Sequence, residues 1–123
     1  MKLIIQGTLP TLNEMINAAK SHQQVYEKMK KVADHTVSWS AKAVMMKNPY
    51  RPVRADYFIT WYRPNMQTDK DNVIAGQKFI FDGLQQAGLI QNDGWKQIGK
   101  ITHELFVDKL NPRVEIEIVE VAG

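Results

Sequence analysis

The chain has 123 residues, 44% of them hydrophobic and 24% charged, with a formal charge of +3; that suits one compact domain and excludes the disordered and membrane-spanning classes. It contains no cysteine, which removes disulfides, thiolate zinc sites and cysteine nucleophiles together. His22, His35 and His103 lie far apart without the paired spacing of a metal site, so they read as scattered surface or core histidines.

The opening Met1-Lys2-Leu3-Ile4-Ile5-Gln6-Gly7 is too short an apolar run for a secretory leader and is predicted to be a first strand over residues 2 to 7. A cytoplasmic protein with no membrane partner is the expectation. Residues 8 to 14 form a loop around Pro10, and the stretch to Lys20 carries no decisive pattern. Ser21-His22-Gln23-Gln24 has the S-x-x-Q form of a capping box, so a long helix is predicted from there to about Lys47, ended by Asn48-Pro49. Its expected core stripe is Val25, Met29, Val32, Thr36, Trp39, Ala43 and Met46.

From Arg54 to Tyr62, alternation of Ala55, Tyr57, Ile59 and Trp61 with polar or exposed positions predicts a strand, broken by Arg63-Pro64-Asn65. A second helix is predicted over Asn72 to Ala87, with Val73, Ile80, Leu84 and Ala87 on one face and Gly88 as its stop. Beyond the Asn92-Asp93-Gly94 turn, Ile98 to Val107 and Arg113 to Val121 read as two strands joined as a hairpin. The order β-α-β-α-β-β gives an α/β (α+β) fold, one small mixed sheet covered by two helices, in a single domain over residues 1–123.

The segment richest in chemistry is Thr68-Asp69-Lys70-Asp71-Asn72, at a strand-to-helix junction. In extended backbone, residues two apart point the same way, so Asp69 and Asp71 converge on one hard cation such as Mg²⁺. The alternative is that one of them caps the helix and the other is solvated surface. On an uninterrupted helix Asp71, Lys78 and Asp82 share a polar stripe opposite the core face, which puts a lysine where a phosphate would dock; equally, Lys78 and Asp82 form an ordinary i,i+4 ion pair. Phosphate-cradling glycine loops, a nucleophile elbow and an H-E-x-x-H helix are all missing from the sequence.

The run Asp69-Lys70-Asp71-Asn72, then Lys78 and Asp82-Gly83-Leu84, then Ala87-Gly88-Leu89-Ile90 and Asn92-Asp93, resembles the signature of the RusA-type Holliday junction resolvases. Leu9-Pro10-Thr11-Leu12-Asn13 resembles that family's early proline loop. The resemblance implies a structure-selective DNA endonuclease that hydrolyses phosphodiesters at four-way junctions with Mg²⁺, Mn²⁺ being an acceptable substitute. It implies metal ligation by Asp69, Asp71 and Asp93, phosphate stabilisation by Lys78, and support from Asn72 and Asp82. It also implies a homodimer, because paired nicks need two sites, and a phage or prophage setting. Many family members carry the motif lysine one turn after D-x-D-N, where this chain has Ala75; Lys78 lies one turn later on the same face. Arg63, Lys70, Lys96 and Asn13 are the expected DNA contacts. Two other readings stay open: a non-catalytic branched-DNA-binding protein on the same fold, and a partner-binding module whose aspartates only cap a helix.

Overall fold

The computed structural model describes residues 1–122. Its elements are β1 (Lys2–Gln6), α1 (Leu12–Ser21), α2 (Gln23–Lys47), β2 (Ala55–Arg63), α3 (Lys70–Ile74), α4 (Gln77–Ala87), β3 (Ile98–Val107) and β4 (Arg113–Glu120). The mixed α and β class holds: the first predicted helix is α2, the second is split into α3 and α4, and α1 is additional. Four strands form one sheet in the order β1-β4-β2-β3. β2 and β3 are parallel, joined across α3 and α4, while β4 runs antiparallel to both β2 and β1.

The expected hairpin between the last two strands is therefore wrong. β4 inserts between β1 and β2, where Val114, Ile116 and Ile118 are buried, and β3 takes the edge, where only Ile98, Gly99, His103 and Leu105 are even partly covered. A clean apolar alternation marks β4 as a central strand, and β3 lacks it. On the opposite edge, β1 alternates buried Leu3 and Ile5 with outward Lys2, Ile4 and Gln6.

The unassigned stretch before Lys20 is α1. Thr11 caps it, its hydroxyl accepting from the Glu14 amide at 3.3 Å while the Glu14 carboxylate accepts from the Thr11 amide at 3.3 Å. The capping box thus lies at T-x-x-E, ten residues before the one predicted. Ser21 closes α1 by donating its hydroxyl to the Ala18 carbonyl at 3.0 Å, and His22 starts α2, its Nδ1 accepting from the Gln24 amide at 3.1 Å.

Along α2 the buried residues are Ala33, Val37, Ser38 and Ala41. Most of the predicted stripe faces outward instead: Val25, Val32, Trp39 and Met46 are 49%, 59%, 68% and 86% exposed, Thr36 and Ala43 are exposed as well, and Met29 alone of the seven packs partly against the core. Close packing against α4 selects the small-residue face. A Cβ on Gly83 of α4 would stand 2.5 Å from the Val37 Cβ and 2.9 Å from the Asp34 carbonyl oxygen, so the two helices meet nearly backbone to side chain.

The helix predicted over 72–87 breaks at Ala75-Gly76. Gly76 lies against Trp61, where a Cβ would sit 3.3 Å from the indole ring and 3.2 Å from the Pro10 carbonyl oxygen. The break carries the chain past the Trp61 ring at the end of β2 and starts α4 on a new axis. Gly88 ends α4 at φ 80°, in the left-handed conformation expected of it.

Candidate active site

The two aspartates of D-x-D occupy the start of α3. Asp69 is the N-cap, extended at φ −61° and ψ 149°, and its side chain makes no capping hydrogen bond. Lys70 and Asp71 are already helical, so the extended-backbone argument for their shared direction does not apply. The Asp71 Oδ1 accepts from the Asn72 amide at 3.0 Å. Both carboxylates are exposed at the positive end of a helix turn, and neither acts as a conventional cap.

Asp69 and Lys70 border a cleft of about 510 Å³, which is also lined by Arg63, Thr68, Phe106 and Val107. This places them where the parallel strands β2 and β3 end. The buried Arg63 Nε has no hydrogen-bond partner. Two expected DNA contacts, Arg63 and Lys70, therefore flank the aspartates. Asn13 is exposed in the first turn of α1, which packs against α3.

Asp93 is elsewhere. Its loop is pinned where β2 and β3 begin: the Arg54 guanidinium donates to the Trp95 carbonyl at 2.9 Å and to that of Lys96 at 3.3 Å, and the Ala55 amide donates to the Gln97 carbonyl at 3.2 Å. Within the loop, the Asn92 side chain accepts from the Gly94 amide at 2.8 Å. A nine-residue strand spans roughly 25–30 Å, so Asp93 and Lys96 lie at one end of β2 while Asp69 and Asp71 lie beyond the other. Among the described residues no three His, Asp or Glu side chains are gathered closely enough to hold a metal ion. The oxygen donors suit Mg²⁺ in chemistry, but one chain does not assemble the set of three.

Lys78 and Asp82 share the exposed side of α4, their closest charged atoms 3.9 Å apart. Asp82 is held more firmly by Lys30 of α2, at 2.9 Å. Lys30 also binds Asp34, whose second oxygen is buried without a partner; burial pushes the Asp34 carboxyl above its usual range, against the pull of Lys30. Asp82 is thus part of an ion-pair tie between α4 and α2. Lys30 and Asp34 had a visible signal in their i,i+4 spacing, but their partner, fifty-two residues from Lys30, had none.

A second arrangement had no signal in the sequence. The Trp61 indole N–H donates to His103 Nδ1 at 2.9 Å, and His103 Nε2 lies 3.1 Å from the Gln77 side-chain oxygen. Because Nδ1 accepts, the proton belongs on Nε2 and the ring is neutral, consistent with burial lowering its pKa. This chain of contacts fixes Gln77, the first residue of α4, to the edge strand.

No curated protein matches the chain in sequence. The family model described as Endodeoxyribonuclease RusA matches residues 7–119. The matched span runs from the end of β1 almost to the end of β4 and takes in both aspartate-bearing segments, α4 and three of the four strands. The chain belongs to the RusA family of endodeoxyribonucleases.

Proposed function

We propose that this protein resolves four-way DNA junctions by Mg²⁺-dependent phosphodiester hydrolysis, as a homodimer whose two sites are each built from both chains. The observation that carries this reading is the placement of the acidic residues: Asp69 and Asp71 beyond the end of β2, Asp93 before the start of β3. β3 is an edge strand. Paired antiparallel with its copy across a two-fold axis, its beginning lies beside the end of the partner's β3. Asp93 of one chain then approaches the cleft that holds the other chain's Asp69, and both sites complete at once.

The bound cation would activate water and stabilise the departing 3′ oxygen, and Mn²⁺ would serve in its place. The protein's own part is positional. Asp69 and Asp71 offer exposed, hard oxygen donors; the backbone N–H of Asn72 donates to the Asp71 carboxylate; Lys78 presents a charge on the exposed side of α4. Arg63 and Lys70 border the aspartates, and the same dimer brings Lys96 alongside, so that phosphate contacts converge on the cleft. Asn13 on neighbouring α1 extends that surface. Paired nicking suits DNA processing in the cytoplasm, in a phage or prophage setting. No helix among the described residues is long and apolar enough to cross a membrane.

The test is cleavage of a synthetic four-way junction against linear duplex, in Mg²⁺ or EDTA. Paired nicks restricted to the junction and to metal are the expected result, with Asp71→Asn losing at least a hundredfold in rate. A wild-type protein that binds the junction yet never nicks it would make the chain a branched-DNA-binding protein instead.

A further inference from the structure

The β1 edge of the sheet, opposite the β3 edge that borders the aspartate cleft, carries an exposed surface of its own. β1 bonds to β4 through its odd-numbered residues, as the Met1–Ile118 pair and the Gly7 amide to the Pro112 carbonyl show. By antiparallel alternation the backbone groups of Lys2, Ile4 and Gln6 point outward along an open edge. Beside this edge runs the outward stripe of α2, with Val25, Val32, Trp39 and Met46 spaced seven residues apart. Two adjoining clefts join edge and stripe: one of about 410 Å³ between Ile4, Gln6 and Trp39, and one of about 570 Å³ between Leu9, Val25 and Val32, sharing Thr36.

The exposed charge of α2 beside this groove is predominantly basic. The exposed charges of α2 are Lys28, Lys31, Lys42 and Lys47 against Glu27 alone. That opposes pairing with a second copy, which would face lysine with lysine. It favours a polyanion, yet a row of large apolar side chains is not a phosphate-tracking surface. Lys28 and Lys42 flank Val32 and Trp39 of the stripe, about 21 Å apart along the helix, a span that about six or seven extended residues cover.

We infer that the groove between β1 and α2 takes an extended acidic segment of another protein, added as a strand beside β1, with apolar side chains against Trp39 and Val32 and carboxylates at its ends toward Lys28 and Lys42. The sheet order separates this surface from the aspartate cleft, so the segment would tether the nuclease without covering its site.

The probe is a short synthetic peptide of alternating isoleucines between acidic ends, titrated into the isotopically labelled full chain. Controls are the same peptide with lysine ends and a single-stranded oligonucleotide. The expected result is shifts of the Lys2, Ile4 and Gln6 amides and the Trp39 indole with the acidic peptide alone, weakened by salt, and about tenfold weaker binding for the Lys28→Glu, Lys42→Glu double variant at unchanged thermal stability. Equal binding of the lysine peptide, stronger shifts of these amides by the oligonucleotide, no binding at all, or a halving of the wild-type solution mass by Trp39→Glu would each overturn the inference. Cleavage is not read in this experiment, so its outcome is independent of the nuclease proposal.

Discussion

A buried side chain and a half-buried one in the sheet make separable predictions at the scale of the residue. The Tyr57 hydroxyl is buried without a hydrogen-bond partner, and burial pushes its pKa up to about 12. Removing an unsatisfied hydroxyl while keeping the ring should help, so Tyr57→Phe is expected to gain about 1 kcal/mol in chemical denaturation. His103 makes stability pH-dependent. Its folded pKa lies below the ordinary value of 6.5, so between the two values the unfolded chain binds more protons. Its contribution is therefore complete above about pH 6.5 and is lost as pH falls toward the folded value. Melting temperature measured from pH 7.5 down to 5 should fall, and His103→Gln should flatten part of that slope. Tyr57 and Trp61 were legible in the sequence as core residues by strand alternation. The link from Trp61 through His103 to Gln77 was not, because it joins residues on three elements through side-chain atoms that no spacing encodes.

Packed against α4, α2 shows how a helix can present its larger apolar residues outward. The stripe of Val25, Val32, Trp39 and Met46 is the stronger periodic signal, but the face of Ala33, Val37 and Ala41 is the one that fits against Gly83. Periodicity reports that a helix has faces; close approach decides which one is buried. Gly83→Ala should accordingly cost about 1–3 kcal/mol through overpacking, whereas Val32→Ser on the exposed stripe should change stability by less than about 0.5 kcal/mol. Equal effects would show that the helix is rotated from the packing described here. The C-terminal end of α2, the bounds of β2 and the stop at Gly88 were readable from local chemistry, whereas the start of α2 was assigned to a Ser21 capping box that does not form. The break at Gly76 was not, since it depends on Trp61 and Pro10 lying against that glycine. That break also separates the phases of Asp71 and Lys78, which an uninterrupted helix would have aligned.

For the whole molecule, the α and β class and the elements carrying the aspartates were legible in the sequence, while strand order was not. A hairpin is the default for two adjacent strands, and it fails because β2 already holds β3 in parallel through the α3–α4 crossover, leaving β4 to fill the gap beside β1. The same crossover explains the separation of the site residues: a parallel βαβ unit puts the residues after its first strand and those before its second at opposite ends of the sheet. D-x-D and Asp93 are therefore apart in one chain by topology, and the proposed metal set requires a second chain to close it. Mixing two inactive variants, Asp71→Asn and Asp93→Asn, on a four-way junction with Mg²⁺ tests this most directly. After exchange of subunits the account predicts recovered nicking, with about a quarter of the wild-type sites intact under random pairing. A mixture as inactive as either variant alone, despite demonstrated subunit exchange, would contradict a site shared between two chains.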